Sequence, residues 1–283
     1  MPLNKASTGK EYPPVTTDVT EEATQEYARA YNDQNPAYFD SARTGGVVAP
    51  PMFGVVVTWQ SVLGAVMDPA VGADLLRLVH GEQDMEFGAP IRPGDRITST
   101  AKIESIETKS TGETMDVRLE AKNQRGEAVV RATFSVFIRG GGRRGAPAEA
   151  QEPAPERGAP MLEAAQQIDP DQTARYADAS GDRNPIHIDE NVAKMAGLPG
   201  IIVHGLCTMA FTSRLMIDRL CGGDPTRLRR LHVRFSRPVR PGQIITTRVW
   251  PAPDRDGRRV FAYESFNPEG QAVIKDGIAE VDA

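Results

Sequence analysis

Residues 205 to about 220 read as a long apolar helix, with Leu206, Met209, Ala210 and Leu220 among its apolar positions and Gly222-Gly223 as its stop. Strand-like runs follow at 230–236, 243–250, 259–266 and 271–281, with Pro241-Gly242 and Asn267 to Gly270 supplying turns between them. The first half has the same coarse plan: a short helix ending near Asn35-Pro36, a loop, a longer apolar helix and then strands, with Asn123 to Gly126 as a hairpin turn. A long helix followed by an antiparallel meander predicts an α+β unit in which a sheet wraps round a mostly buried helix, and two such units would pair side by side.

The two halves repeat each other in order. Asn32-Asp33-Gln34-Asn35-Pro36 answers Gly181-Asp182-Arg183-Asn184-Pro185, 149 residues later. Phe87 to Gly94 answers Phe235 to Gly242 at a separation of 148, and Asn123 to Gly126 answers Asn267 to Gly270. Between the halves, residues 140–160 are rich in Pro, Gly and Ala and have no periodicity with which to bury a face, so they are expected to be a linker. That divides the chain into units at 1–139 and 161–283.

Composition narrows the function. With 283 residues and 40% hydrophobic content, the chain can bury two cores. A net charge of −5 argues against a nucleic-acid partner. Cys207 and Cys221 form neither a disulfide framework nor a thiolate metal site and fit a reducing compartment. No signal-peptide core or run of about 18 apolar residues occurs, so a soluble, cytoplasmic protein is expected, with no membrane partner. No phosphate loop, metal-ligand cluster or nucleotide fingerprint is evident, so neither cofactor nor metal is expected.

The densest polar cluster runs from Tyr176 to His187 and continues at His204-Gly205. Pro185 biases Asn184 away from helical geometry, so Asp182 and His187 should flank a break that can aim both into one cleft. Such a pair can hold a water, activate it for attack and deliver a proton. Gly205 stands where the long helix begins, and its N–H is free to meet a developing oxyanion. Read alone, Asp182 is an ordinary turn or capping residue, and His204 could serve only to shape its loop. His80 and His232 have no partner motif and read as structural.

The string Ser180-Gly181-Asp182-Arg183-Asn184-Pro185-Ile186-His187, with His204-Gly205 downstream, resembles the signature of the MaoC-like, R-specific enoyl-CoA hydratases. Gly9 to Pro14 and the Asn35-Pro36 region resemble the N-terminal unit of two-unit members, the hydratase 2 group. The resemblance implies a double hotdog, two antiparallel sheets each wrapped round a central helix. It also implies reversible hydration of 2-enoyl-CoA thioesters to (R)-3-hydroxyacyl-CoA, with Asp182 and His187 as the catalytic pair and Gly205 as the oxyanion donor. Asn184 would order the site and His204 contact substrate. Some members have a serine where this chain has Ala210, leaving that hydroxyl's role to Thr208, to water or to nothing.

In the first half Asp33 persists, Tyr38 replaces the histidine, and Pro50-Pro51 stands near the His-Gly position, so that unit is expected to have lost catalysis. Val55, Val56, Val57 and Trp59 are candidates to line an acyl pocket, although the preferred reading is that they are ordinary core residues. Arg234, Arg237 and Arg240 are candidates for the phosphates of coenzyme A or for a solvated strand edge. The competing functions are a 3-hydroxyacyl-carrier-protein dehydratase, a thioesterase on the same fold, and a noncatalytic acyl-thioester binding module. An acyl-CoA partner is expected, and a homodimer is possible because two units in one chain already imitate a dimer.

Overall fold

The computed structural model describes residues 2–75, 77–140 and 157–283, so most of the expected linker lies outside the described residues. The N-terminal half contains β1 (Val15–Asp18), α1 (Glu21–Ala30), α2 (Gly54–Val66), β2 (Leu78–Phe87), β3 (Arg96–Lys109), β4 (Gly112–Lys122) and β5 (Ala128–Arg139). The C-terminal half contains β6 (Leu162–Gln167), α3 (Gln172–Ser180), α4 (Glu190–Met195), α5 (Gly205–Leu220), β7 (Leu228–Phe235), β8 (Ile244–Arg255), β9 (Arg258–Phe266) and β10 (Ala272–Asp282). Apart from the short α4, the two series correspond element by element.

The expected pair of sheets is joined into one ten-stranded antiparallel sheet, ordered β1-β3-β4-β5-β2-β7-β10-β9-β8-β6. Its second five strands mirror the first. The seam is the pairing of β2 with β7, in which Gln83 faces Val233 and Met85 faces Leu231. Left apart, those two strands would each expose a row of unpaired backbone groups, and joining them removes both edges. Arg230 strengthens the seam with a two-pronged bond to Asp84, at 2.9 and 2.6 Å.

Alternation along β3 turns Ile97, Ser99, Ala101 and Ile103 inward, toward α2. Within α2 the run Val55-Val56-Val57 has poor intrinsic helix propensity, yet Val55 and Val57 are buried and Val56 packs at the margin of the core. Burial against the sheet therefore outweighs local preference. In α5 most side chains are buried, from Leu206 to Leu220, so this helix is wrapped rather than laid on a surface.

Helices α1 and α3 pack together where the halves meet. Tyr27 and Tyr176, 149 residues apart, are equivalent positions of the two units, and their buried hydroxyls lie 3.0 Å apart. A side chain hydrogen-bonded to its own counterpart marks the local two-fold axis.

Two features were not legible in the sequence. Strand β6 is a short Ala- and Gln-rich segment with weak strand propensity, and its pairing with β8 fixes it. Strand β8 continues through Pro251 and Pro253, beyond Val249, where its contact with β6 ends; on that free side a missing N–H costs no ladder bond. No helix among the described residues is long and apolar enough to cross a membrane.

Candidate active site

Helix α3 ends at Gly181, whose φ of 78° places it in the left-handed region. The chain then folds back on a ladder of side-chain acceptors. Ser180 Oγ accepts the Asp182 N–H at 3.2 Å, Asp182 Oδ1 accepts the Asn184 N–H at 3.1 Å, and Asn184 Oδ1 accepts the Ile186 N–H at 3.4 Å. Pro185 opens a 3-10 turn, Pro185–His187, which swings the imidazole back toward the carboxylate. Sequence reasoning expected this break; the ladder shows that Asn184 builds it.

His187 is 7% exposed, and its Nδ1–H donates to the Ile202 carbonyl at 2.8 Å. A carbonyl only accepts, so the proton sits on Nδ1 and Nε2 carries the free lone pair. His204 is 1% exposed and donates through Nε2 to the Asp182 carbonyl at 3.0 Å, leaving its Nδ1 without a partner. The two rings lie 3.8 Å apart between centroids. His204 therefore holds the Asp182 main chain and offers a second unprotonated nitrogen, neither of which its sequence position revealed.

Burial pushes the Asp182 carboxyl above its ordinary range, against the opposing pull of His187 and the Asn184 N–H. Burial lowers His187, with Asp182 and the Ile202 carbonyl opposing. His204 is driven well below its ordinary value by burial and then by His187. Both imidazoles are accordingly neutral near pH 7.

One ligating atom from each of Asp182, His187 and His204 lies within 4.8 Å of the others. A water about 2.8 Å from two partners at a tetrahedral angle spans about 4.6 Å between them, so a spacing of this order suits a bridging water. Zinc ligands about 2.1 Å from a tetrahedral ion stand about 3.4 Å apart, so donors at the upper end of this spacing would have to close by more than an ångström. The three residues nevertheless have the composition of a metal site, a cluster that the sequence reading did not identify.

His204 caps α5, and Gly205 is its first residue, so the Gly205 N–H has no intrahelical acceptor. A Cβ there would stand 3.1 Å from the Phe235 ring, which explains why a residue without one begins this helix. Ala210 is fully buried, and the Thr208 hydroxyl is turned back onto the His204 carbonyl at 3.3 Å.

The first half repeats the turn without the histidine. Asp33 Oδ1 accepts from Asn35 N–H at 3.0 Å and Asn35 Oδ1 from Ala37 N–H at 2.9 Å, repeating the Asp182 ladder. Tyr38 occupies the histidine position, and Phe53-Gly54, rather than Pro50-Pro51, begins the long helix. A Cβ on Gly54 would meet Val130 at 2.6 Å, so side chains already fill the space at this helix start.

Other candidates have separate fates. His80 is stacked on Phe134 at 3.9 Å, and burial lowers it to about 3. Arg234 is paired with Asp276 at 2.6 Å, whereas Arg237 lines a polar cavity with Ser236, Gln271 and Lys275.

Comparison with known proteins agrees with this architecture. The MaoC-like domain model matches residues 151–269, and the FAS1-like dehydratase domain region matches residues 6–132. A Dictyostelium discoideum protein named probable enoyl-CoA hydratase 2 is 31% identical over 249 residues, 86% of this chain and 81% of that one. The crystal structure of a MaoC-like dehydratase from Phytophthora capsici superposes with a TM-score of 0.82 at 26% identity, covering 100% of this chain and 98% of the other. A Mycobacterium tuberculosis protein described as having a double hotdog fold gives 0.63 at 14% identity, covering 97% and 95%, a likeness of fold alone.

Proposed function

This chain belongs to the MaoC-like hydratase and dehydratase family in its two-unit, double hotdog form, and we propose that it reversibly hydrates 2-enoyl-CoA thioesters to (R)-3-hydroxyacyl-CoA. The observation that carries the reading is the convergence of Asp182, His187 and His204 within 4.8 Å, immediately before the open start of α5.

In this reading one water sits between the Asp182 carboxylate and His187 Nε2. Asp182 takes a proton from the water as its oxygen attacks C3, and the π pair moves through C2 toward the thioester carbonyl. Gly205 N–H, at the positive end of α5, donates to the oxygen that gains charge. The proton on Asp182 then passes to C2, so one H and one OH have been added, and the reverse sequence is dehydration. Asn184 holds the Asp182 carboxylate and His204 its main chain. The first unit serves as a noncatalytic partner that shapes the acyl pocket. In this reading Arg237 and Lys275, which line one polar pocket, receive the coenzyme A phosphates. A homodimer would form outside the β2–β7 seam, which is already filled within the chain. The buried thiols of Cys207 and Cys221 suit the cytoplasm.

Loss of enoyl absorbance from crotonyl-CoA and longer trans-2-enoyl-CoA tests the proposal. Wild type should consume the substrate, and Asp182→Asn and His187→Ala should each lose roughly 10²–10⁴-fold in kcat while staying folded. Wild-type inactivity on short, long and dicarboxylic enoyl-CoA would overturn it in favour of carrier-protein thioesters or simple binding.

A further inference from the structure

We propose that Trp59, on the central helix of the noncatalytic unit, is a positioning residue for the Asp182 turn of the other unit. This inference rests on the reading of Asp182 as the general base. Trp59 Nε1–H donates to the Gly181 carbonyl at 3.1 Å, across 122 residues of sequence. The next carbonyl, that of Asp182, accepts from His204 Nε2 at 3.0 Å. Both peptide planes flanking Asp182 are thereby pinned, one from within its own unit and one from the neighbouring unit. The Gly181–Asp182 plane is held on its N–H side by Ser180 Oγ at 3.2 Å and on its carbonyl side by the indole; Gly181 terminates α3 in the left-handed conformation, and a Cβ there would stand 3.6 Å from Trp59 Cδ1. The indole thus abuts the hinge from which the carboxylate is aimed.

The internal repeat provides a control. Trp59 is the fifth residue after the glycine that starts α2, and the fifth after the glycine that starts α5 is Ala210, a buried side chain with no donor. Among the described residues no side chain donates to the corresponding carbonyl of the Asp33 turn, that of Asn32. Its Asn32, the counterpart of Gly181, is held instead through its own side chain, which donates to Asp169 at 2.9 Å and accepts from Arg175 at 2.9 Å. Two turns of the same shape are secured differently, and the one carrying the acid/base pair is secured by the indole. Tilting a catalytic carboxylate by a fraction of an ångström is enough to change a rate without changing ground-state binding.

Trp59→Phe keeps the aromatic contact and deletes the N–H. With wild type as reference, kcat on an enoyl-CoA substrate should fall about tenfold with KM within about twofold, and the acid limb of the kcat profile should shift. Amide hydrogen exchange in a peptide spanning residues 180–188 should quicken at least fivefold in the variant, while peptides from β9 and β10 stay unchanged. Wild-type kcat together with wild-type exchange at 180–188 would overturn the proposal, as would a loss spread evenly over the sheet. If wild type itself hydrates no enoyl thioester, the catalytic reading falls, and the exchange measurement still decides whether Trp59 holds this turn.

Discussion

Asp33→Asn separates the two units of the chain by charge alone. Burial raises the Asp33 carboxyl from 3.8 to about 6, and its Oδ2 has no hydrogen-bond partner. A group whose folded pKa is raised contributes stability that is full below its unfolded value and lost as pH rises through its folded value. At pH 7.5 the ionised side chain therefore costs the fold about 3 kcal/mol relative to an unperturbed carboxyl, and at pH 4.5 about 1 kcal/mol. Asparagine removes that cost and keeps the acceptor for the Asn35 N–H, but adds a buried amide donor facing an unpartnered site, a loss of about 1–2 kcal/mol. The variant should thus be more stable than wild type by about 1–2 kcal/mol at pH 7.5 and roughly neutral or slightly worse at pH 4.5. Urea denaturation at both values measures this difference, and other carboxyls cancel in the comparison. A stability difference that stays constant between the two pH values would refute the assignment of a buried, high-pKa Asp33. Hydration activity should survive, in contrast to Asp182→Asn, because Asp33 faces Tyr38 and a filled helix start.

Three further outcomes are expected. The hydration rate should fall on the acid side at a pH above the ordinary carboxylate range, because Asp182 is raised by burial and must be ionised, while neutral His187 and His204 impose no loss toward alkaline pH; a pH–rate profile reads this. Gly205→Ala should lower kcat roughly 10²-fold with a modest loss of thermal stability, because the methyl meets Phe235 at 3.1 Å and crowds the N–H proposed to meet the oxyanion; steady-state kinetics beside thermal melts check both. Tyr27→Phe should cost about 1–2 kcal/mol in urea denaturation, since it strips a buried partner from the Tyr176 hydroxyl at the contact between α1 and α3.

The sequence by itself determined what is local or repeated. The Gly222-Gly223 stop bounded α5, and Asn-Pro forced a break between Asp182 and His187 because proline restricts its predecessor. Matched motifs 149 residues apart declared the duplication, which in turn made Asp33 and Tyr38 readable as the counterparts of Asp182 and His187. Contacts between distant segments remained for the tertiary structure to decide. Pairing of β2 with β7 turned two sheets into one, and β6 became a strand only because β8 presents it with hydrogen-bond partners. His204 gained its place beside His187 through the return of the chain at Ile202. Trp59 met the Gly181 carbonyl at the end of a helix in the other unit. Local backbone chemistry is written in neighbouring residues, whereas a hydrogen bond spanning more than a hundred residues depends on both folded partners and leaves no periodic trace in either.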